Sequence, residues 1–341
     1  MRVLVAHPGP GFSVHDVYTG WTEGLEANGV HVATFNLHDR LTFYDRTYLN
    51  VKENQFRKAL TPEQAIELAT NGLLSGCYQF WPDVVLVVTG FLIEPRMLDL
   101  MRDRGHKVVL LHTEEPYELQ RELALAAHAD LNLLNDPIHL EQFQQVAPTR
   151  YMPHAYRPSL HKPGEFDPEV AADFAFVGTG FESRIEFFEA MDLDGIDVAL
   201  AGNWQRLSLG SPLRKYLAHD IEQCCDNAEG VRLYQSSKAG LNLYRRETED
   251  GGNHAGWAMG PREVEMAATG LFFLRDPRGE GDEVLPMLPT FDSPEDASQQ
   301  LRWWLDHDDS RLDAAGKARE AIADRTFTKH AARLLGLLES Y

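Results

Sequence analysis

Twice along this chain, short apolar runs end in a glycine turn and pass into a segment of helical spacing. This alternation limits the folds open to it. "RVLVAH" (2–7) ends at a Gly/Pro turn, and "VYTGWTEGLEANG" (17–29) then carries apolar residues at helical spacing up to Gly29. "VHVATFN" reads as the next strand. After a more polar insert, "DVVLVVTG" (83–90) reads as a buried strand, "PRMLDLMRDRG" as a helix and "HKVVLLHTEE" (106–115) as another strand. "HADLNLLND" and "TRYMPHAY" add two short strands. Such a βαβ rhythm predicts a parallel sheet covered by helices.

The rhythm lapses in the proline-rich "YRPSLHKPGEFDPEVAA" (156–172), which reads as a linker, and then restarts. "DFAFVGTG" is a strand and glycine turn, "ESRIEFFEAM" a helix, "IDVALAGN" and "KAGLNLYR" strands. "GPREVEMAATG" (260–270) reads as a short helix before the strand "LFFLRD". "SPEDASQQLRWWLDHD" has a helix-entry signature, and the last stretch is helical with a break near Thr326 to Thr328. The expected organisation is an α/β chain of two Rossmann-like domains: 1–157, then 158–325, with 326–341 as a helix returning to the first. Their facing sheets would make a cleft at the carboxyl ends of the strands.

Bulk properties exclude several classes. The 341 residues exceed one ordinary core, and 43% hydrophobic with 25% charged content suits a globular protein. Aliphatic runs such as "VVLVV" fall far short of the roughly 18 residues of a membrane span. The N-terminus has no basic start followed by a long apolar stretch, so no secretory leader is expected and a cytoplasmic location is. Cys77, Cys224 and Cys225 form neither a disulfide framework nor a zinc pattern. No spacing suggests a metal site. A net charge of −20 disfavours non-specific nucleic-acid binding.

Several polar groups fall at strand ends. Pro261 suits the first position of a helix whose free N–H groups attract an anion such as a diphosphate, and Arg262 could add a phosphate contact. Glu263 and Glu265 are two apart and do not share a helix face, so either both complement the helix dipole from a solvated face or one reaches a ligand, where it could accept both hydroxyls of a ribose. In "FVGTGFESR", the turn at Gly178 and Thr179 and the first-turn Arg184 could approach phosphate, or be an ordinary turn and a surface charge. "HPGPGFSVHD" is the counterpart in the first half, with Gly11 in its turn and the pair His15–Asp16 after it; it lacks the Rossmann glycine pattern and the P-loop lysine. In "LLHTEEPYE", His112 ends an apolar strand and Glu114 and Glu115 follow; a histidine there can bind a sugar hydroxyl, transfer a proton, or be structural. The "DLD" at 192–194 is read as a loop rather than a metal motif.

"DFAFVGTGFESR", "ALAGNW", "YQSSKAGLNLYR" and "GPREVEMAATGLFFLRD" follow one another as in the CgeB-like glycosyltransferases, which the second half resembles. These are relatives of the family-four GT-B enzymes; "YMPHAYRPSLHKP" and the helical tail also fit. The resemblance covers about 80–341 well and the first 80 residues loosely. It implies a GT-B fold with the donor held mainly by the second domain. Glu265 matches the ribose-binding glutamate, Arg262 the donor-facing helix start, and Gly178, Thr179 and Arg184 the diphosphate turn. His112 resembles the histidine that contacts the transferred sugar. The departures are Trp257 where a first glutamate is usual, Val264 for phenylalanine, and Thr269 before the glycine. Glu263 is left as a dipole-complementing surface charge.

The resulting expectation is a retaining, metal-independent transferase that uses a nucleotide-diphosphate sugar, first of all a UDP-sugar, with no other cofactor. Glu114, Glu115 or His15 would help deprotonate the acceptor, which could be a small molecule, a glycan, a protein or modified DNA. The alternatives are a nucleotide-sugar epimerase, a non-catalytic glycan-binding assembly protein, or a phage-type transferase acting on modified DNA bases.

Overall fold

The structure is a computed structural model that describes residues 1–9, 14–49, 60–248 and 255–339. Gly11 lies outside the described residues. The chain divides into two compact units, with boundaries at 153/154 and 326/327.

The first unit is built from β1 (Arg2–His7), α1 (His15–Ala27), β2 (His31–Asn36), α2 (Leu37–Leu49), α3 (Pro62–Phe80), β3 (Val84–Val88), α4 (Pro95–Asp103), β4 (Lys107–His112), α5 (Leu119–Ala126), β5 (Leu131–Leu134), α6 (Leu140–Val146) and β6 (Thr149–Tyr151). The six strands form one parallel sheet in the order β2-β1-β3-β4-β5-β6. Parallel strands are covered on both faces, so the central ones must be apolar throughout, and every residue of β3 is buried. Leu4, Val85, Val87, Val108 and Leu110 form the core with Leu73 and Cys77 of α3 and Met97 and Met101 of α4. The polar insert therefore contributes two helices, α2 and α3. The start of α3 is fixed by Thr61, whose side chain accepts the Gln64 N–H while Gln64 returns a bond to Thr61, with Pro62 at the first position.

The second unit contains β7 (Ala172–Val177), α7 (Glu182–Ala190), β8 (Val198–Ala201), a short 3-10 turn, α8 (Asn227–Ser236), β9 (Ser237–Asn242), α9 (Pro261–Thr269), β10 (Phe272–Arg275), α10 (Gly279–Val284), α11 (Pro294–Leu305) and α12 (Asp308–Ala321). Its four parallel strands run in the order β10-β9-β7-β8. Phe174, Phe176, Phe188 and Trp204 pack against one another inside it, tilted or edge to face. The 192–194 acidic pair serves the surface: Asp192 pairs with Arg302, which also donates to the Asp194 carbonyl.

The last helix, α13 (Phe327–Glu339), belongs to the first unit and packs on α1. Glycines at 20 and 24 make the seat: a Cβ on Gly20 would fall 2.1 Å from the Phe327 ring, and one on Gly24 2.5 Å from the Phe327 carbonyl oxygen. Asn28 then donates to the Thr328 carbonyl oxygen at 2.9 Å.

Candidate functional site

In the second unit the carboxyl ends of β7 and β8 are locked backbone to backbone. Gly178 N donates to the Ala201 carbonyl and Gly180 N to that of Asn203. Gly202, at φ +109°, must be glycine on two counts, since a Cβ would also meet the Gly178 oxygen at 2.3 Å. Arg184, from the first turn of α7, donates to the Thr179 carbonyl at 3.0 Å and the Leu243 carbonyl at 2.9 Å, which ties the β7 turn to the end of β9. Around Phe181 stand three guanidinium groups, Arg184, Arg206 and Arg245, at 5.3, 5.6 and 5.8 Å from the ring centre. This is a local concentration of cations on a chain of net charge −20.

One carboxylate already sits at the start of α7. Glu247 accepts from Ser183 N at 3.0 Å, Ser183 Oγ at 3.1 Å and Arg246 N at 3.0 Å. Burial alone would raise its pKa, but these bonds hold it below the ordinary value. Next to it, Arg246 donates to both oxygens of Asp276, and Ser183, Leu243, Tyr244, Arg246 and Asp276 line a cavity of about 400 Å³.

Helix α9 starts at Gly260 with Pro261 in its first turn and ends at Gly270, φ +83°. Arg262 and Glu265 pair at 2.8 Å, and Glu265 is almost completely buried. Arg262, Glu265 and Arg184 all act electrostatically on the buried Tyr234 hydroxyl, whose pKa burial raises. The structure thus gathers Gly178, Thr179, Arg184, Arg262 and Glu265 in one region of the second unit.

Glu263 corrects the reading of a surface charge. It is fully buried and accepts from Gly260 N at 2.8 Å and from the Tyr244 hydroxyl. Burial pushes its carboxyl up to about 7, while those two bonds and the charges of Arg275 and Arg278 pull it down. Arg278 lies over the Tyr244 ring at 3.6 Å. Glu263 therefore organises the start of α9 from inside.

In the first unit, His15 Nδ1 and the Tyr18 hydroxyl are 2.8 Å apart, and Tyr18 stacks on His7 at 3.8 Å. Burial lowers the His7 pKa to about 4, so its ring is neutral at pH 7. This group lies at the end of β1. His112, Glu114 and Glu115 lie at the end of β4, with β3 between the two strands.

His112 does not contact a sugar as folded, because its side chain is completely buried. Its Nε2–H donates to Asn132 Oδ1 at 2.8 Å, the Asn132 amide being oriented by its bond to the Ala126 carbonyl. The other nitrogen, Nδ1, is 3.8 Å from Glu122 Oε1. Burial pushes His112 down to about 4 and Glu122 well above the ordinary carboxyl value, the latter further raised by Glu115. Glu114 is half-buried, and its N–H donates to Glu122. Glu115, 4% exposed, accepts from His139 Nδ1 at 2.6 Å. Burial lifts its pKa to about 7 against the pull of that imidazole.

Sequence reasoning missed Arg206, Arg245, Glu247 and His139. Each lies in a loop or turn after a strand other than the one that supplies its partner, and carries no local motif.

Comparison with known proteins follows this geometry. The model of a family described as glycosyl transferase-like matches residues 184–336. Among curated proteins none matches the chain. Of solved structures, sucrose-phosphate synthase from Thermosynechococcus elongatus is similar over 99% of this chain and 98% of its own, at 13% identity and TM-score 0.68. A trehalose-6-phosphate protein from E. coli, bound with UDP-2-fluoro glucose, is similar over 100% and 99%, at 10% identity and TM-score 0.65. UDP-GlcNAc 2-epimerase from Neisseria meningitidis, bound to UDP-GlcNAc, is similar over 100% of both chains, at 10% identity and TM-score 0.57. The fold is the α/β fold of the GT-B glycosyltransferases, and residues 184–336 are similar to the glycosyl transferase-like family. No helix among the described residues is long and apolar enough to cross a membrane.

Proposed function

We propose that the protein transfers a sugar from a nucleoside-diphosphate donor, a UDP-sugar in the first instance, to a hydroxyl of an acceptor. The observation that carries this reading is the group in the second unit where Arg184, bonded to the Thr179 carbonyl, and the Arg262–Glu265 pair all bear electrostatically on Tyr234. The turn and the arginines suit a diphosphate. Glu265, released from Arg262, suits the two hydroxyls of a ribose. The UDP-sugars bound to two of the similar structures support the same donor class.

As the leaving diphosphate gains charge, Arg184 and Arg262 would stabilise it electrostatically, in the role a divalent metal fills elsewhere. Retention is the course that the CgeB-like resemblance implies, and we carry it with that narrower family reading and a cytoplasmic location. The acceptor class stays as broad as the sequence leaves it.

Titration calorimetry with UDP tests the donor site. Glu265→Ala is expected to weaken UDP binding about tenfold, equivalent to about 1.4 kcal/mol. Unchanged affinity removes Glu265 from the site. Epimerisation is the second reading, favoured by the fold shared with UDP-GlcNAc 2-epimerase. Release of an epimerised sugar from a UDP-sugar without acceptor would select it.

A further inference from the structure

The carboxylate at the start of α7 comes from another loop. Glu247 lies beyond the end of β9, yet it takes the first-turn donors of α7. One oxygen accepts from Ser183 N at 3.0 Å; the other accepts from Ser183 Oγ at 3.1 Å and Arg246 N at 3.0 Å. All three donors are uncharged. The neighbouring carboxylates are held differently, since Asp276 pairs with Arg246 and Glu265 with Arg262. Glu247 makes no ion pair among the described residues, although guanidinium groups from α7 and from the loops after β8 and β9 gather around Phe181, the residue before α7. Burial opposes its charge and the hydrogen bonds prevail, so it is ionised at neutral pH. A backbone N–H and a hydroxyl at a helix start, with arginines beside them, are also what a phosphate oxygen would use. An anion is therefore present where the diphosphate of the donor is expected, and it is part of the chain.

We propose that Glu247 is an internal competitor for the diphosphate of the donor. It fills a phosphate position in the free protein, gives it up when a nucleoside diphosphate binds, and takes it back as the product leaves. This rests on the glycosyl-transfer reading above and involves the second unit alone. A single carboxylate on neutral donors yields to a diphosphate, whose oxygens can take the Ser183 donors and also pair with guanidinium groups. The tether keeps Glu247 close enough to return, because a linked group acts at an effective concentration on the order of millimolar. The nucleoside diphosphate is thus held less tightly than its contacts alone would allow.

Titration calorimetry with UDP on wild type, Glu247→Ala and Glu247→Gln tests this. Glu247→Ala is expected to bind UDP about fivefold more tightly, the equivalent of about 1 kcal/mol for one helix-entry contact. Glu247→Gln keeps an acceptor for Ser183 without the charge, and a smaller gain is expected. Glu182 is exposed in the same first turn of α7. Glu182→Gln removes an equal charge there and is expected to leave the UDP affinity nearly unchanged. A gain in Glu182→Gln equal to that in Glu247→Ala overturns the proposal, since a general loss of negative charge would then suffice. So does a UDP affinity that is unchanged or weakened in the Glu247 variants. Thermal unfolding checks that each variant folds; should Glu247→Ala fail to, the presence or absence of a gain in Glu247→Gln decides alone. Wild type and variants that all bind no UDP overturn the functional reading itself, a separate result.

Discussion

At the carboxyl edge of the first sheet, burial disfavours the charged forms of His7, His112, Glu115 and Glu122; at that of the second, arginines and carboxylates form ion pairs. His7 and His112 are pushed down to about 4, and Glu115 and Glu122 are pushed up, all four with burial as the leading cause. In the second unit, Arg246 meets Asp276, Arg262 meets Glu265, and Glu247 is held by Ser183. Proton transfer needs groups that change protonation state, and anion binding needs groups that do not. The proposed function draws on the charged pairs of the second unit for its donor.

Matched substitutions probe the contrast most strongly. At pH 8, Glu263→Gln removes a buried charge near Arg275 and Arg278. It is expected to cost about 3 kcal/mol, the range for breaking a buried ionic cluster. Glu122→Gln replaces a carboxyl whose ionisation burial disfavours, and is expected to cost under about 1 kcal/mol. Urea unfolding of the two variants measures both, and equal losses would erase the distinction. Gly202→Ala comes next, at about 2 kcal/mol, since it combines positive φ with a clash against the Gly178 oxygen. If that loss is absent, the two glycine turns do not pack as described.

The pH response is smaller. A carboxyl whose folded pKa is raised contributes stability below its ordinary value of 4.5, and loses it as pH rises through the folded value. Glu263, at about 7, therefore makes the second unit less stable between pH 4.5 and 7. Over pH 6 to 7.5 the loss is expected to be about 1 kcal/mol. In the first unit, Glu115 and Glu122 act in the same direction. His7 and His112, lowered from 6.5 to about 4, act oppositely: their stability is present above 6.5 and lost as pH falls toward 4. Hydrogen exchange in the second unit is expected to show that loss in the wild type and not in Glu263→Gln. Parallel slopes in the two proteins would count against the contrast.

The strand rhythm was legible because parallel strands are buried on both faces, and an apolar run such as "VVLVV" has few other uses. α2 and α3 were read as a polar insert, although "TPEQ" at 61–64 carries the helix-entry pattern that the structure uses. At the site, Arg184, Arg262 and Glu265 were legible as parts of local motifs. Arg206, Arg245 and Glu247 were not, because their meaning arises only where separate loops meet. The burial of His112 was hidden for a related reason. A strand-end residue reads the same whether α5 and the Asn132 side chain cover it or leave it open.

The seat of Phe327 on Gly20 and Gly24 has a consequence for how the chain is made. Helix α1 leaves the ribosome well before its partner α13, since Asn28 and Thr328, which are hydrogen-bonded, lie 300 positions apart in the chain. Residues 154–326 are by then already out and able to form their own core. The first unit is thus completed after the second, and until then it exposes the two-glycine groove of α1.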